Sequence, residues 1–211
     1  MAERTGRKGT AMVQWNYRSE RNEILAKQVI AGCESRNMEA WYAKTKEEAL
    51  EKALSLIPQG ASCGAGGCYS AAQIGLLDAL QNGNYNWVGR EARDADFFIA
   101  SANGMTADGV IVNIDGMSNR VACIAHGPKN VLFIVGMNKI TADVDSAMKR
   151  ARNEAAPINT QRIGCNTPCT KTGTCMNCKS PDTICCNILI TRFSRIKGRI
   201  KVILVDEELG F

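Results

Sequence analysis

The chain has 211 residues, 45% of them hydrophobic and 22% charged, with a net charge of +5. That length can bury the core of one good-sized domain, and the composition is that of an ordinary globular protein. Basic residues are spread out, with small clusters only at Arg4–Lys8 and Arg192–Arg199. A nucleic-acid reader would gather them into a stripe with interleaved aromatics, so no nucleic-acid partner is expected.

The N-terminal "MAERTGRKGT" is polar and basic, and no apolar segment of a signal peptide follows it. Residues 1–18 read as a disordered or flexible tail, and residues 19–211 as one domain. No apolar run is long enough to span a membrane, so no membrane association and a cytoplasmic location are expected. "SERNEILAKQVIAGCESR" (19–36) carries apolar residues at Ile24, Leu25, Val29 and Ile30, the spacing of an amphipathic helix. "NMEAWYA" reads as a short strand. In "TKEEALEKALSLI" Thr45 and Glu48 form a capping box ahead of a helix that Pro58 and Gly60 end. The turn "GASCGAGGC" follows, then a helix over about 70–81.

"ADFFIASANGMTADGVIVNIDG" (95–116) reads as strand, turn, strand, with hairpin signals at Asp108-Gly109 and Asp115-Gly116. The unbroken apolar run Val131–Val135 suits a strand buried on both faces. "TADVDSAMKRARNEAAP" (141–157) predicts a helix with Thr141 near its cap and Pro157 beyond its end. A cysteine-rich loop occupies 165–186, and "GRIKVILVDEELGF" supplies a last strand. Strands alternating with helices imply an α/β fold with a mostly parallel sheet flanked by helices.

Ten cysteines in a cytoplasmic chain point to metal, redox chemistry or burial rather than a disulfide framework. Six fall within 22 residues. The inner four, Cys169, Cys175, Cys178 and Cys185, have the spacing C-x5-C-x2-C-x6-C among turn-forming residues. Four thiolates can hold a zinc ion or an iron–sulfur cluster of the four-iron kind. The spacing selects neither, and free thiols or disulfides formed on oxidation are the alternative. Cys165 and Cys186 stand as substitute ligands.

Gly64, Gly66 and Gly67 precede a helix, which suits an anion site. The lysine of a phosphate-binding loop is missing, and Tyr69 occupies the last glycine position of the dinucleotide fingerprint. Cys68 near a helix start would have a lowered thiol pKa. The sole histidine, His126, is a weak candidate for its base. The second polar stretch, Ser101–Arg120, holds Asn103, Thr106, Asp108, Asn119 and Arg120. An Arg fork there suits a carboxylate or phosphate, and both loops follow strand-like segments, where α/β sheets gather ligands.

Taken in order, "GASCGAGGCYSAAQIGLLDAL", "ADFFIASANGMTADGVIVNIDGMSNRVA", "GPKNVLFIVGMNKI", "AMKRARNEAAPINTQR", "PCTKTGTCMNCKSPDTIC" and "GRIKVILVDEELGF" resemble the LUD (lactate utilisation) domain family, of the LutC/YkgG type, over roughly residues 20–211. The resemblance implies a NagB/RpiA/CoA-transferase-like α/β fold, here with a cysteine-rich insertion near the C-terminus. It implies a role near the oxidation of lactate or another organic acid, as an accessory or stand-alone redox component that binds a small anionic metabolite. Iron–sulfur oxidoreductase subunits are the implied partners, and homo-oligomer formation is left open. Gly66 and Gly67 match the family's glycine loop, with Cys68 in a serine position and Ser70 in a threonine position. Asn103, Thr106, Asp108, Asn119 and Arg120 match its second segment. The expected ligand residues are therefore Gly64, Gly66, Gly67, Cys68, Ser70, Asn103, Thr106, Asp108, Asn119 and Arg120. The contrasting expectation is an iron–sulfur or zinc module for electron transfer or sensing, with no catalysis of its own.

Overall fold

The computed structural model describes residues 17–90 and 92–211. The expected tail lies outside the described residues up to position 16; Tyr17 and Arg18 already belong to the first helix, α1 (Tyr17–Glu34). In chain order there follow β1 (Glu39–Ala43), α2 (Lys46–Leu56), β2 (Ser62–Ala65), α3 (Tyr69–Gln73), α4 (Leu76–Asn82), β3 (Asn86–Gly89), β4 (Phe97–Ala100), β5 (Gly104–Thr106), β6 (Ile111–Asp115), α5 (Asn119–Ala125) and β7 (Asn130–Gly136). Then come β8 (Ile140–Thr141), α6 (Val144–Arg150), a π turn over Ala151–Ala155, α7 (Ala156–Ile163), α8 (Pro168–Thr172), β9 (Asn187–Thr191) and β10 (Ile200–Val205).

Six strands form a parallel sheet in the order β1-β10-β7-β4-β2-β3. Alternation splits the apolar run of β7 between two cores. Val131, Phe133 and Val135 join α1 and α5 on one face, with Ile200, Val202 and Leu204 of β10. Leu132 and Ile134 face α2, α3 and α4, with Ile203 and Val205. A strand buried on both faces needs that unbroken hydrophobicity. A smaller sheet, β8-β5-β6-β9, stands beside the first, with Val112 and Ile114 packed on Ala147 and Ala151 of the α6 side. The expected fold class, mostly parallel α/β with helices on both faces, is the fold observed. No helix among the described residues is long and apolar enough to cross a membrane.

Local chemistry explains the boundaries, and the differences. Thr45 caps α2 by accepting the Glu48 N–H at 3.2 Å, while the Glu48 carboxylate reaches the Lys44 N–H at 2.7 Å rather than that of Thr45. The buried stripe of α1 is Asn22, Ala26, Val29 and Cys33, and Ile24, read as part of an apolar face, is exposed. The helix expected over 70–81 is two short helices, broken where Gly75 takes φ +78°. Asp108-Gly109 does form a hairpin turn, between β5 and β6, with Gly109 at φ +92°. Asp115-Gly116 does not. The Asp115 carboxylate accepts the N–H groups of Arg120 and Val121 at 2.9 and 3.0 Å and so caps α5.

Two further departures matter for the site. Asp143, not Thr141, caps α6 by accepting the Ser146 N–H at 2.7 Å. Helical structure then continues past Pro157 to Ile163. A proline inside an α-helix removes a donor and crowds the carbonyl four residues back; the wider π turn just before it relieves that crowding. In the cysteine loop, Pro168 opens a five-residue helix where only turns were expected.

Candidate functional site

A cleft of about 450 Å³ opens past the carboxyl ends of the parallel strands. Its residues come from the segments just beyond β2, β3, β4, β7 and β10, together with α5 and α7. Chain order reverses at β2, whose neighbours are β3 on one side and β4 on the other, and open α/β sheets hold ligands at such a reversal. The volume is in the range of small-molecule sites.

Lys139, just after β7, forms the floor. It is 3% exposed, and its Nζ donates to Ser101 Oγ at 2.9 Å and Ser70 Oγ at 3.0 Å. The two hydroxyls lie 3.2 Å apart. Burial lowers the Lys139 pKa to about 8, with the charges of Arg150 and Arg120 adding to the effect. No carboxylate forms an ion pair with Lys139 among the described residues, unlike Arg150, which pairs with Glu154 at 2.9 Å. Gly210 crosses close above: a Cβ there would sit 2.7 Å from Ser70 Oγ and 3.0 Å from Lys139 Nζ. The Phe211 ring stacks on Tyr69 at 5.3 Å between centroids, closing that wall.

Arg120 forms another wall. It packs beneath Gly66, where a Cβ would come within 3.1 Å of its side chain. One Nη donates to the Ile114 carbonyl, and its buried Nε has no hydrogen-bond partner among the described residues. Arg90 and Arg162 complete a set of four basic lining residues, with no acidic one among the described residues. Asn159 Oδ1 accepts from Arg162 Nε and Nη2 at 3.0 and 2.8 Å.

Of the residues singled out from sequence, Gly66, Gly67, Cys68, Ser70, Asn103 and Arg120 line this cleft. Four do not. Gly64 lies within β2, where a Cβ would meet the Gly89 carbonyl oxygen at 2.4 Å and Ala92 at 2.5 Å; glycine serves strand packing there. Thr106 and Asp108 build the β5–β6 turn, Thr106 bonding the Asp108 carboxylate and the Val110 N–H, and Asp108 pairing with Arg36 in the turn after α1. Asn119 borders an adjoining groove.

Cys68 sits at the start of a helix of only five residues. Burial pushes its thiol up rather than down, so the expected lowering fails and it is a packing group of the cleft wall. His126 ends α5 and lines a separate groove with Pro128 and Phe193, so the two are not a nucleophile–base pair. Lys139, Ser101, Arg90, Asn159 and Arg162 escaped the sequence reading. The last two lie in the stretch of helix beyond Pro157. Lys139 had one available signal, a lone cation three residues after a largely apolar parallel strand.

All ten cysteines are free of disulfides. Cys169, Cys175, Cys178 and Cys185 line one small cavity of about 150 Å³. Cys165 and Cys186 do not line it. Burial, then the neighbouring charges of Cys175, Cys169 and Cys178, push the Cys185 thiol up. Among the described residues no three His, Cys, Asp or Glu side chains are grouped to hold a single metal ion.

The family model of the LUD domain matches residues 26–90 and 86–205. A crystal structure of a DUF162 family protein from Deinococcus radiodurans matches with a TM-score of 0.52 at 12% identity, covering 87% of this chain and 98% of that one. At that identity the likeness is one of fold. No curated protein matches the chain significantly.

Proposed function

The chain belongs to the LUD domain family, and from that premise we propose that it binds a small organic anion in the cleft past the strand ends and serves the oxidation of lactate or a related organic acid. The observation that carries this reading is a buried ammonium, Lys139, with two serine hydroxyls beside it and no carboxylate paired to it among the described residues. A buried cation without a counter-charge is costly, and an anionic ligand supplies that charge. Arg120, with an unused Nε, offers a second donor to the same anion. Arg90 and Arg162 add to a positive potential that draws anions in.

The chemistry open to these groups is binding, orientation and proton handling. Lys139, titrating near 8, can hold or release a proton at neutral pH, and Ser70 and Ser101 can pass it toward a ligand hydroxyl or carboxylate. Net oxidation of an organic acid needs an electron acceptor, so partner subunits that carry iron–sulfur centres belong to this reading.

Thermal shifts with lactate, pyruvate, phosphate and coenzyme A test it. At least one anion is expected to raise the melting temperature of the native chain, and Arg120→Ala is expected to weaken that response. Indifference to every anion would sink the proposal.

A further inference from the structure

The cysteine cavity is separate from the chemistry of Lys139. We propose that Cys169, Cys175, Cys178 and Cys185 together bind a four-iron, four-sulfide cluster through four thiolates.

The four sulfurs converge from a short helix, the coil after it and the approach to β9 onto one enclosed space. The rest of its lining is half apolar, including Ile114, Ala156 and Ile188, and among the described residues Arg152 is the one charged side chain in it besides the cysteines. A ligand set of sulfur alone selects soft or thiophilic centres, chiefly zinc and iron–sulfur. A single tetrahedral zinc, with Zn–S bonds of about 2.3 Å, needs its sulfurs roughly 3.8 Å from one another. The four cysteines here share the lining of a cavity of about 150 Å³. A cluster of four metals and four sulfides fills such a space and holds its thiolates further apart.

Two donors already point at one of the sulfurs. Arg152 Nη2 and the Asn177 N–H each lie 3.4 Å from Cys175 Sγ. Hydrogen bonds to the sulfurs are among the levers that set a cluster's potential, and the Arg152 cation offsets part of the negative charge of a thiolate-ligated cluster. The cavity also adjoins the cleft. Ile114 and Ile184 line both it and the groove that Arg120, Asn159 and Arg162 share with the cleft, so that groove lies between the two.

The test is anaerobic reconstitution of the full chain with ferrous iron and sulfide, followed by desalting and assay of iron, sulfide and zinc. The expected load is about four irons and four sulfides per chain, with a broad absorption at about 400 nm. Cys175→Ser/Cys178→Ser is expected to lose it, and Cys165→Ser/Cys186→Ser, off the cavity, to keep it. Circular dichroism checks that both variants fold. One zinc per chain without sulfide, a full load in the inner variant, or a lost load in the folded outer variant would each overturn the proposal. Because iron and sulfide are counted without any organic acid present, the result stands apart from what the cleft binds.

Discussion

An ammonium at 3% exposure has few ways to be comfortable, and among the described residues Lys139 has two neutral hydroxyls in hydrogen-bond contact. Burial lowers its pKa, with Arg150 and Arg120 adding to the effect and Cys68 and Glu154 opposing it. Its proton is therefore available near neutrality, and its attraction for an anion holds below about pH 8. Cys68 has the opposite character. Burial raises its thiol, as it raises Cys33 to about 12 and Cys63 to about 11, and a thiol so placed is a poor nucleophile. In the metal-free chain, brief alkylation followed by peptide mapping is expected to label exposed Cys186 well before Cys68. Cys68 reacting first would contradict this view. Arg120 was legible from the polar stretch Ser101–Arg120, and Ser70 only from the family resemblance. Lys139 was not, because one lysine in "GMNKI" looks like any lysine until the fold puts its strand end beside two others.

Two elements hold the cleft in shape by close approach. Gly64 lets β2 lie against the end of β3, where a Cβ would overlap the Gly89 carbonyl at 2.4 Å. Gly64→Ala is expected to destabilise the chain by about 1–3 kcal/mol, the usual range for overpacking. A denaturant midpoint matching the native chain's would refute that. Asp115 plays the companion role on the other side: by capping α5 it fixes the backbone of Arg120, so a residue read as turn chemistry positions the Arg wall. Apolar spacing made α1 readable, a capping box α2, and an unbroken apolar run β7. Weak or short elements were not: β3 and β9 have only four and five residues and lack alternation. The reading of Pro157 as a stop failed because the local pattern does not encode the π turn that accommodates it, and Asn159 and Arg162 were hidden with it.

At the scale of the molecule, the parallel sheet delivers five strand ends to one edge, and that convergence is why scattered sequence positions become one cleft. The order of motifs was enough to place the chain in its family, and the family fixes the sheet. The cysteine segment follows a different logic: its local spacing made it visible in sequence, and folding then brought four of its thiols around one space.

The central claim is that Lys139 supplies the positive floor for an organic anion, and calorimetric titration of the native chain and Lys139→Met across pH tests it directly. A lysine with a folded pKa of about 8 gives full affinity below that pH and a loss of about tenfold per pH unit above it, as the proton leaves before the anion binds. The variant is expected to stay folded and to bind about ten- to a hundredfold more weakly, the equivalent of one charged hydrogen bond of about 1.5–3 kcal/mol, without that pH dependence. Equal affinity in a folded Lys139→Met, or affinity that does not fall between about pH 7 and 9, would contradict the account.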